Sequence, residues 1–279
     1  MRSRPISLTT AKTAAAAMLA GRYGIADLAR SEWTKLRTVR STIWTLGMTG
    51  LTGLASSGIA TGFTRTHWTS ETAASRAAFD PVEVSLTGAF LGGTLLLGIL
   101  GILVISSEYA TGTIRATLAA APRRPIVLTA KIVVFGVVAL AAAEATAFAS
   151  FLLGQGLLTA PAPHATLSSP GALRAVIGIG LFLCVTGLLA LGIAVLIRHT
   201  AGAISAYVGV ILVLPLILDA LPGSLQHQVE RLLPVEIGSA MINNPAPDAL
   251  APWTGFLVLC GYTVLILALG VVQLVRRDA

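Results

Sequence analysis

Two places in the chain carry residues that could do chemistry. The first is Glu144, inside the apolar run ALAAAEATAFAS (139–150). A charged side chain at the centre of a bilayer costs about 2.5 kcal/mol or more, so an intramembrane carboxylate is by default a functional hypothesis. Glu144 would contact a substrate or a proton, or it would be a protonated carboxyl bonded to a hydroxyl or carbonyl inside a helix bundle. The second place is SSEYATGTIRATLAAAPRRP (106–125), a charged break between two apolar runs, with Glu108, Arg115, Arg123 and Arg124 around Gly112. By themselves these charges read as the kind that set the orientation of a membrane protein. Nothing else suggests a reaction. The chain has no G-x-x-x-x-G-K-[ST] phosphate loop and no H-E-x-x-H. Its histidines, His67, His164, His199 and His227, are scattered over connections, and no His, Cys, Asp or Glu cluster has metal spacing. Catalysis by this chain has no support, and no bound metal or cofactor is expected.

The elements that must position these residues follow from composition. The chain has 279 residues, of which 55% are hydrophobic and only 11% charged. Soluble domains carry about 25% charge, so this chain is an all-α integral membrane protein. Cys184 and Cys260 fall inside apolar runs and read as small buried hydrophobes. Six runs reach the length of about 20 residues that a spanning helix needs: about 41–63, 85–107, 132–158, 173–197, 201–219 and 253–275.

The basic residues orient those runs. Fifteen of the nineteen Lys and Arg lie before the first run, between the second and third, at the 198–200 turn, or after the sixth. Only Arg65, Arg76, Arg174 and Arg231 lie on the other side, and none is deep in a span. Cytoplasmic loops concentrate Lys and Arg, so both termini and the charged connector are expected in the cytoplasm. This topology accounts for much of the net charge of +7 and removes the case for a nucleic-acid partner. Residues 1–40 read as a basic cytoplasmic tail, not a cleaved leader. Its second half, GIADLARSEWTKLRTVRS, places Ile25, Leu28, Ala29, Trp33, Leu36 and Val39 broadly on one helical face. That predicts an amphipathic helix in the membrane interface, with Trp33, Lys35 and Arg37 at the boundary. Glu32 and Arg40 intrude on its apolar side. Loops 64–84 and 159–172 look like simple connections. The segment 220–252 is apolar but broken by Pro234, and predicts two short helices dipping into the outer leaflet. Pairs such as Gly58 and Gly62, or Gly88 and Gly92, indicate close helix packing.

This layout resembles the membrane-spanning subunit of a type-2 ATP-binding cassette (ABC) transporter, in its actinobacterial form. SEWTKLRTVRSTIWTL (31–46) is similar to that family's interfacial helix and first span. SSEYATGTIRATLAAAPRRPIVLTAK (106–131) resembles its cytoplasmic coupling segment, and ERLLPVEIGSAMINN (230–244) its outer hairpin. The resemblance implies that Glu108, Tyr109, Gly112, Thr113 and Arg115 dock on a separate ATPase subunit present in two copies, which would hold ATP and Mg²⁺. Gly112 would permit close backbone approach. It implies a second permease chain, identical or related, a place in the bacterial inner membrane, and export by alternating access. The scarcity of charge in the spans favours an apolar or amphipathic cargo such as a drug, antibiotic or lipid. The alternatives are a proton-coupled secondary transporter using Glu144, and a non-transporting sensor or assembly factor. A membrane enzyme ranks last.

Overall fold

The computed structural model describes residues 25–113, 124–218, 220, 223–243 and 250–276. Among these it is all-helical, with no strand. Helix α1 runs Ile25–Thr38, α2 Arg40–His67, α3 Ala73–Ala78, α4 Pro81–Ala110 and α5 Arg124–Leu157. Helix α6 runs Ala172–Ile197, α7 Thr200–Leu218, α8 Gly223–Glu230, α9 Pro234–Ile242 and α10 Pro252–Arg276.

Among the described residues five helices, α4, α5, α6, α7 and α10, are long and apolar enough to cross a membrane. The first expected span, α2, has 28 residues, about 42 Å at 1.5 Å per residue, but it is not among the five. Its Thr, Ser and Gly dilute it. Those residues point inward: Thr42, Thr49, Gly53, Ser57 and Thr61 are buried. Ile43, Trp44, Leu51, Ile59 and Phe63 are exposed. A hydroxyl can face the interior because it donates to its own helix, as Thr61 Oγ1 does to Ser57 O, or across, as Ser57 Oγ does to Ser150 O of α5 at 2.7 Å.

Helix α6 is the centre. It is apolar on every side, as a helix surrounded by protein must be, and it packs against α4, α5, α7, α9 and α10. Its Gly187 meets Gly101 of α4, where an added methyl would strike the facing carbonyl. Helix α7 contains one π turn, Gly209–Val213. Pro215 follows it; a proline has no N–H for the carbonyl four residues back and its ring pushes that carbonyl away, so the ladder widens there.

The helices overrun the spans read from hydropathy. Asp80 caps α4, accepting from Val82 N at 2.7 Å, with Pro81 at the first helical position. Helix α4 continues to Ala110, and α5 starts at Arg124, not near 132. The second-to-third connector therefore shrinks from 108–131 to 111–123. The 64–84 connection holds a short helix, α3. The 220–252 segment does form two short helices, and Pro234 begins the second, which packs on α6 and α10.

Contacts define two ends. At one, Arg198 stacks over the Tyr109 ring at 5.6 Å and donates to Gln273 O at 3.4 Å. The 198–200 turn, the end of α4 and the end of α10 therefore meet. At the other, Gln155 donates to Pro81 O at 2.7 Å, and Asn243 donates to Glu83 at 3.3 Å. These are the two groups of loops that the Lys and Arg distribution separates.

Candidate functional site: a buried charge cluster beside the connector

The last turn of α4 directs its residues differently. Glu108 continues the inward face that includes Ile102, Ile105 and Ser106 and is only 8% exposed. Tyr109 packs at the core's edge beneath Arg198. Thr111 closes the helix by donating its N–H to Ser107 O at 3.0 Å. Gly112 follows with φ of 69°. Only glycine enters that region without steric cost, and it is the usual way a helix stops. A Cβ there would meet nothing within 4 Å among the described residues. Among the described residues the glycine is therefore required by its left-handed backbone at the helix end, and not by close approach of another backbone. Thr113 is exposed, with its hydroxyl 2.9 Å from that of Thr111. Arg115 lies outside the described residues.

Glu108 meets two lysines from two other helices, and both also meet Glu32. Lys131, in the second turn of α5, is 2% exposed and donates to Glu108 Oε1 at 2.7 Å and to Glu32 Oε2 at 2.5 Å. Lys35 donates to Glu108 Oε1 at 2.8 Å and to Glu32 Oε1 at 2.7 Å. Glu32 itself is 5% exposed. Two carboxylates and two ammonium groups thus form a closed, net-neutral square joining α1, α4 and α5. Neutrality matters, because an unpaired charge in this position would carry a desolvation penalty of several kcal/mol. Burial pulls the Lys35 pKa down, but its hydrogen bonds and attraction to Glu108 and Glu32 outweigh that and hold it above the usual lysine value.

Glu32 and Lys131 are members of this candidate site that sequence reasoning missed. Glu32 looked like a flaw in the amphipathic pattern, and Lys131 like one more topology charge. The usable signal was the flaw itself: a carboxylate on the apolar side of a helix needs a cation opposite. Around it Leu36 is buried and Leu28 packs on the core, whereas Trp33 is 49% exposed and Arg37 exposed. Lys35 belongs to the cluster, with its side chain 40% exposed.

Glu144 is elsewhere, in the middle of α5. Its carboxyl lies directly against Gly180 of α6, in space that any side chain at 180 would fill. One oxygen, Oε2, is buried without a hydrogen-bond partner. It is not joined to the four-charge cluster, and no group of three His, Cys, Asp or Glu able to hold a metal occurs among the described residues.

The chain thus combines a bundle of long apolar helices with ion pairs that join the two ends of the 111–123 connector, and a short helical pair at the opposite end. The family model described as "ABC-2 family transporter protein" matches residues 1–279. The chain belongs to the ABC-2 transporter family. No curated protein matches it. The ABC-2 family makes this chain a multi-pass membrane permease of the ABC type, a component distinct from the ATPase that such transporters employ.

Proposed function

We propose that the chain is the membrane-spanning subunit of an ABC exporter, paired with a second permease chain and driven by two separate ATPase subunits. The observation that carries this is the charge square. It ties the last turn of α4 and the start of α5, the two ends of the connector, to α1, so a push on residues 111–123 reaches three helices at once. Tyr109, Gly112, Thr113 and Arg115 supply the docking segment. Glu108 serves it as a positioning residue, since its carboxylate is turned inward. ATP on the partner subunits provides the differential affinity that any two-state element needs. Helix α2 is the sixth crossing, its apolar face turned to lipid and its hydroxyls to the bundle. Both termini lie in the cytoplasm of a bacterial inner membrane. The apolar spans suit an apolar or amphipathic cargo.

The test is mild-detergent purification from the native membrane. Wild type should bring down an ATPase. Thr113→Ala combined with Arg115→Glu should lose it while the chain stays monodisperse. An intact wild-type chain with no ATPase would overturn the proposal.

Proton-driven transport remains a second reading because Glu144 Oε2 lacks a partner. Flux in proteoliposomes separates the two. A pH gradient that drives uptake without ATP, and fails with Glu144→Gln, would favour the proton.

A further inference from the structure

Three described residues hold the backbone at positive φ. Two of them, Gly112 and Gly171, are glycines, which enter that region without steric cost. The third is Arg198, at φ 60°. It ends α6 by donating its N–H to Ala194 O at 2.9 Å. A residue with a Cβ is costly there, and such a conformation persists where its surroundings over-determine it, often at switch regions. At Arg198 those surroundings are contacts of its side chain.

The last four carbonyls of a helix have no partner within it. Leu196 O of α6 and Gln273 O of α10 are two such groups, and the two helix ends satisfy each other. Arg198 Nη2 donates to Gln273 O at 3.4 Å, and Gln273 Nε2 donates to Leu196 O at 3.3 Å. The same guanidinium lies 5.6 Å from the centre of the Tyr109 ring, within cation–π reach. Tyr109 is in the last turn of α4, next to Glu108 of the charge square. One side chain therefore bridges three helix ends. Helix α10 packs on α5, α6 and α9, and Arg198 brings its last turns to the end of α4. The charge square joins α1, α4 and α5, and includes no residue of α6 or α10.

We propose that Arg198 is a positioning residue that carries movement of the end of α4 to the ends of α6 and α10. The charge square spreads a push on the connector to one side of the bundle, and Arg198 spreads it to the central helix and the last one. This rests for its purpose on the reading that an ATPase moves the connector, though not for the link itself.

The experiment is hydrogen exchange of the full chain, read by mass spectrometry, in two arms. The first uses the chain alone. Tyr109→Leu removes the ring and should speed exchange at 196–202 and 270–274 by about two- to fivefold, the effect of losing one cation–π contact at a partly exposed site. With Arg198→Gly already present, Tyr109→Leu should add nothing at 270–274. No effect of Tyr109→Leu at 270–274, or the same effect in both backgrounds, would overturn the proposal. Faster exchange at 172–176, at the opposite end, would mark general loosening by Arg198→Gly. Arg198→Asn, which suits the same φ and is too short to reach the ring, then carries the comparison. The second arm uses the complex with its co-purified ATPase. In wild type, ATP should change exchange at 104–110, 124–131 and 270–274. Arg198→Gly should keep the ATPase and the change at the first two, and lose most of it at 270–274. An undiminished change at 270–274 would overturn the proposal. If no ATPase co-purifies, the function proposed above falls and the first arm still decides this inference; if one does and the first arm fails, this inference falls alone.

Discussion

Replacing Lys131 by Met removes one ammonium from the square and keeps a chain of similar length in place. Lys131 is 2% exposed and makes two ion pairs, at 2.5 and 2.7 Å. After the change, Glu32 and Glu108 share only Lys35, so a net negative charge is buried. Breaking a buried pair by removing one partner costs about 3–5 kcal/mol, because the other charge stays unpaired. At about 2–4 °C per kcal/mol for a chain above 150 residues, the melting temperature should fall by about 6–20 °C. The sharper test is the double substitution Lys131→Met with Glu32→Leu. It leaves one pair, Lys35 and Glu108, and restores neutrality. It should melt well above Lys131→Met alone, although two charged residues are gone. The assay is thermal unfolding of purified protein in one detergent, followed by tryptophan fluorescence, with single and double substitutions compared as a cycle. A double mutant that melts at or below the single mutant, or a single mutant within about 2 °C of wild type, would refute the claim that mutual neutralisation holds these helices together.

Three further outcomes are expected. Gly112→Ala places a Cβ in the left-handed region at a cost of about 1–2 kcal/mol, whereas Gly112→Asn should be nearly tolerated; comparing their melting temperatures, and the amount of ATPase each retains, separates backbone strain from lost contact. Gly180→Ala pushes against the Glu144 carboxyl and should destabilise by about 1–3 kcal/mol. Adding Glu144→Ala should recover most of that loss, and a strictly additive pair would show that the two residues do not share the space. Finally, the pKa of Lys35 is raised in the folded chain. Its stabilising contribution is therefore complete below the unfolded value of about 10.5 and is lost as pH rises from there through the folded value. Melting temperature should thus hold between pH 7 and pH 9 as far as Lys35 is concerned, and Lys35→Met should abolish part of the loss seen above about pH 10.5.

The bundle was legible in the sequence because a bilayer imposes a length and a polarity on anything that crosses it. Helices α4, α5, α6, α7 and α10 each correspond to an apolar run, and Pro234 marked the break between α8 and α9. Helix ends were less legible. Hydropathy senses where the apolar residues stop, whereas helices begin and end where the backbone dictates, α4 starting after the Asp80 cap and stopping before Gly112. The charged connector was found, but the partners of Glu108 were not. Lys131 is 23 residues away and Lys35 is 73. A single sequence shows charges on loops and gives no sign of which of them turn inward to meet. Helix α2 shows the same limit in reverse. Its Thr and Ser weaken the hydropathy signal because they face protein, and only packing reveals that its outward side is apolar.

That inverted face of α2 bears on how the chain enters a membrane at all. The proposed crossing α2 is also the least apolar, and its inner face carries hydroxyls that bond mostly within α2, with Ser57 alone among those described reaching across to α5. Helix α4, with a mean hydropathy of 2.4 over its best window, is far better suited to partition unaided. The one bond it makes across to α5 forms only once that later helix is in place, so as a proposed crossing α2 would be held by a span made after it.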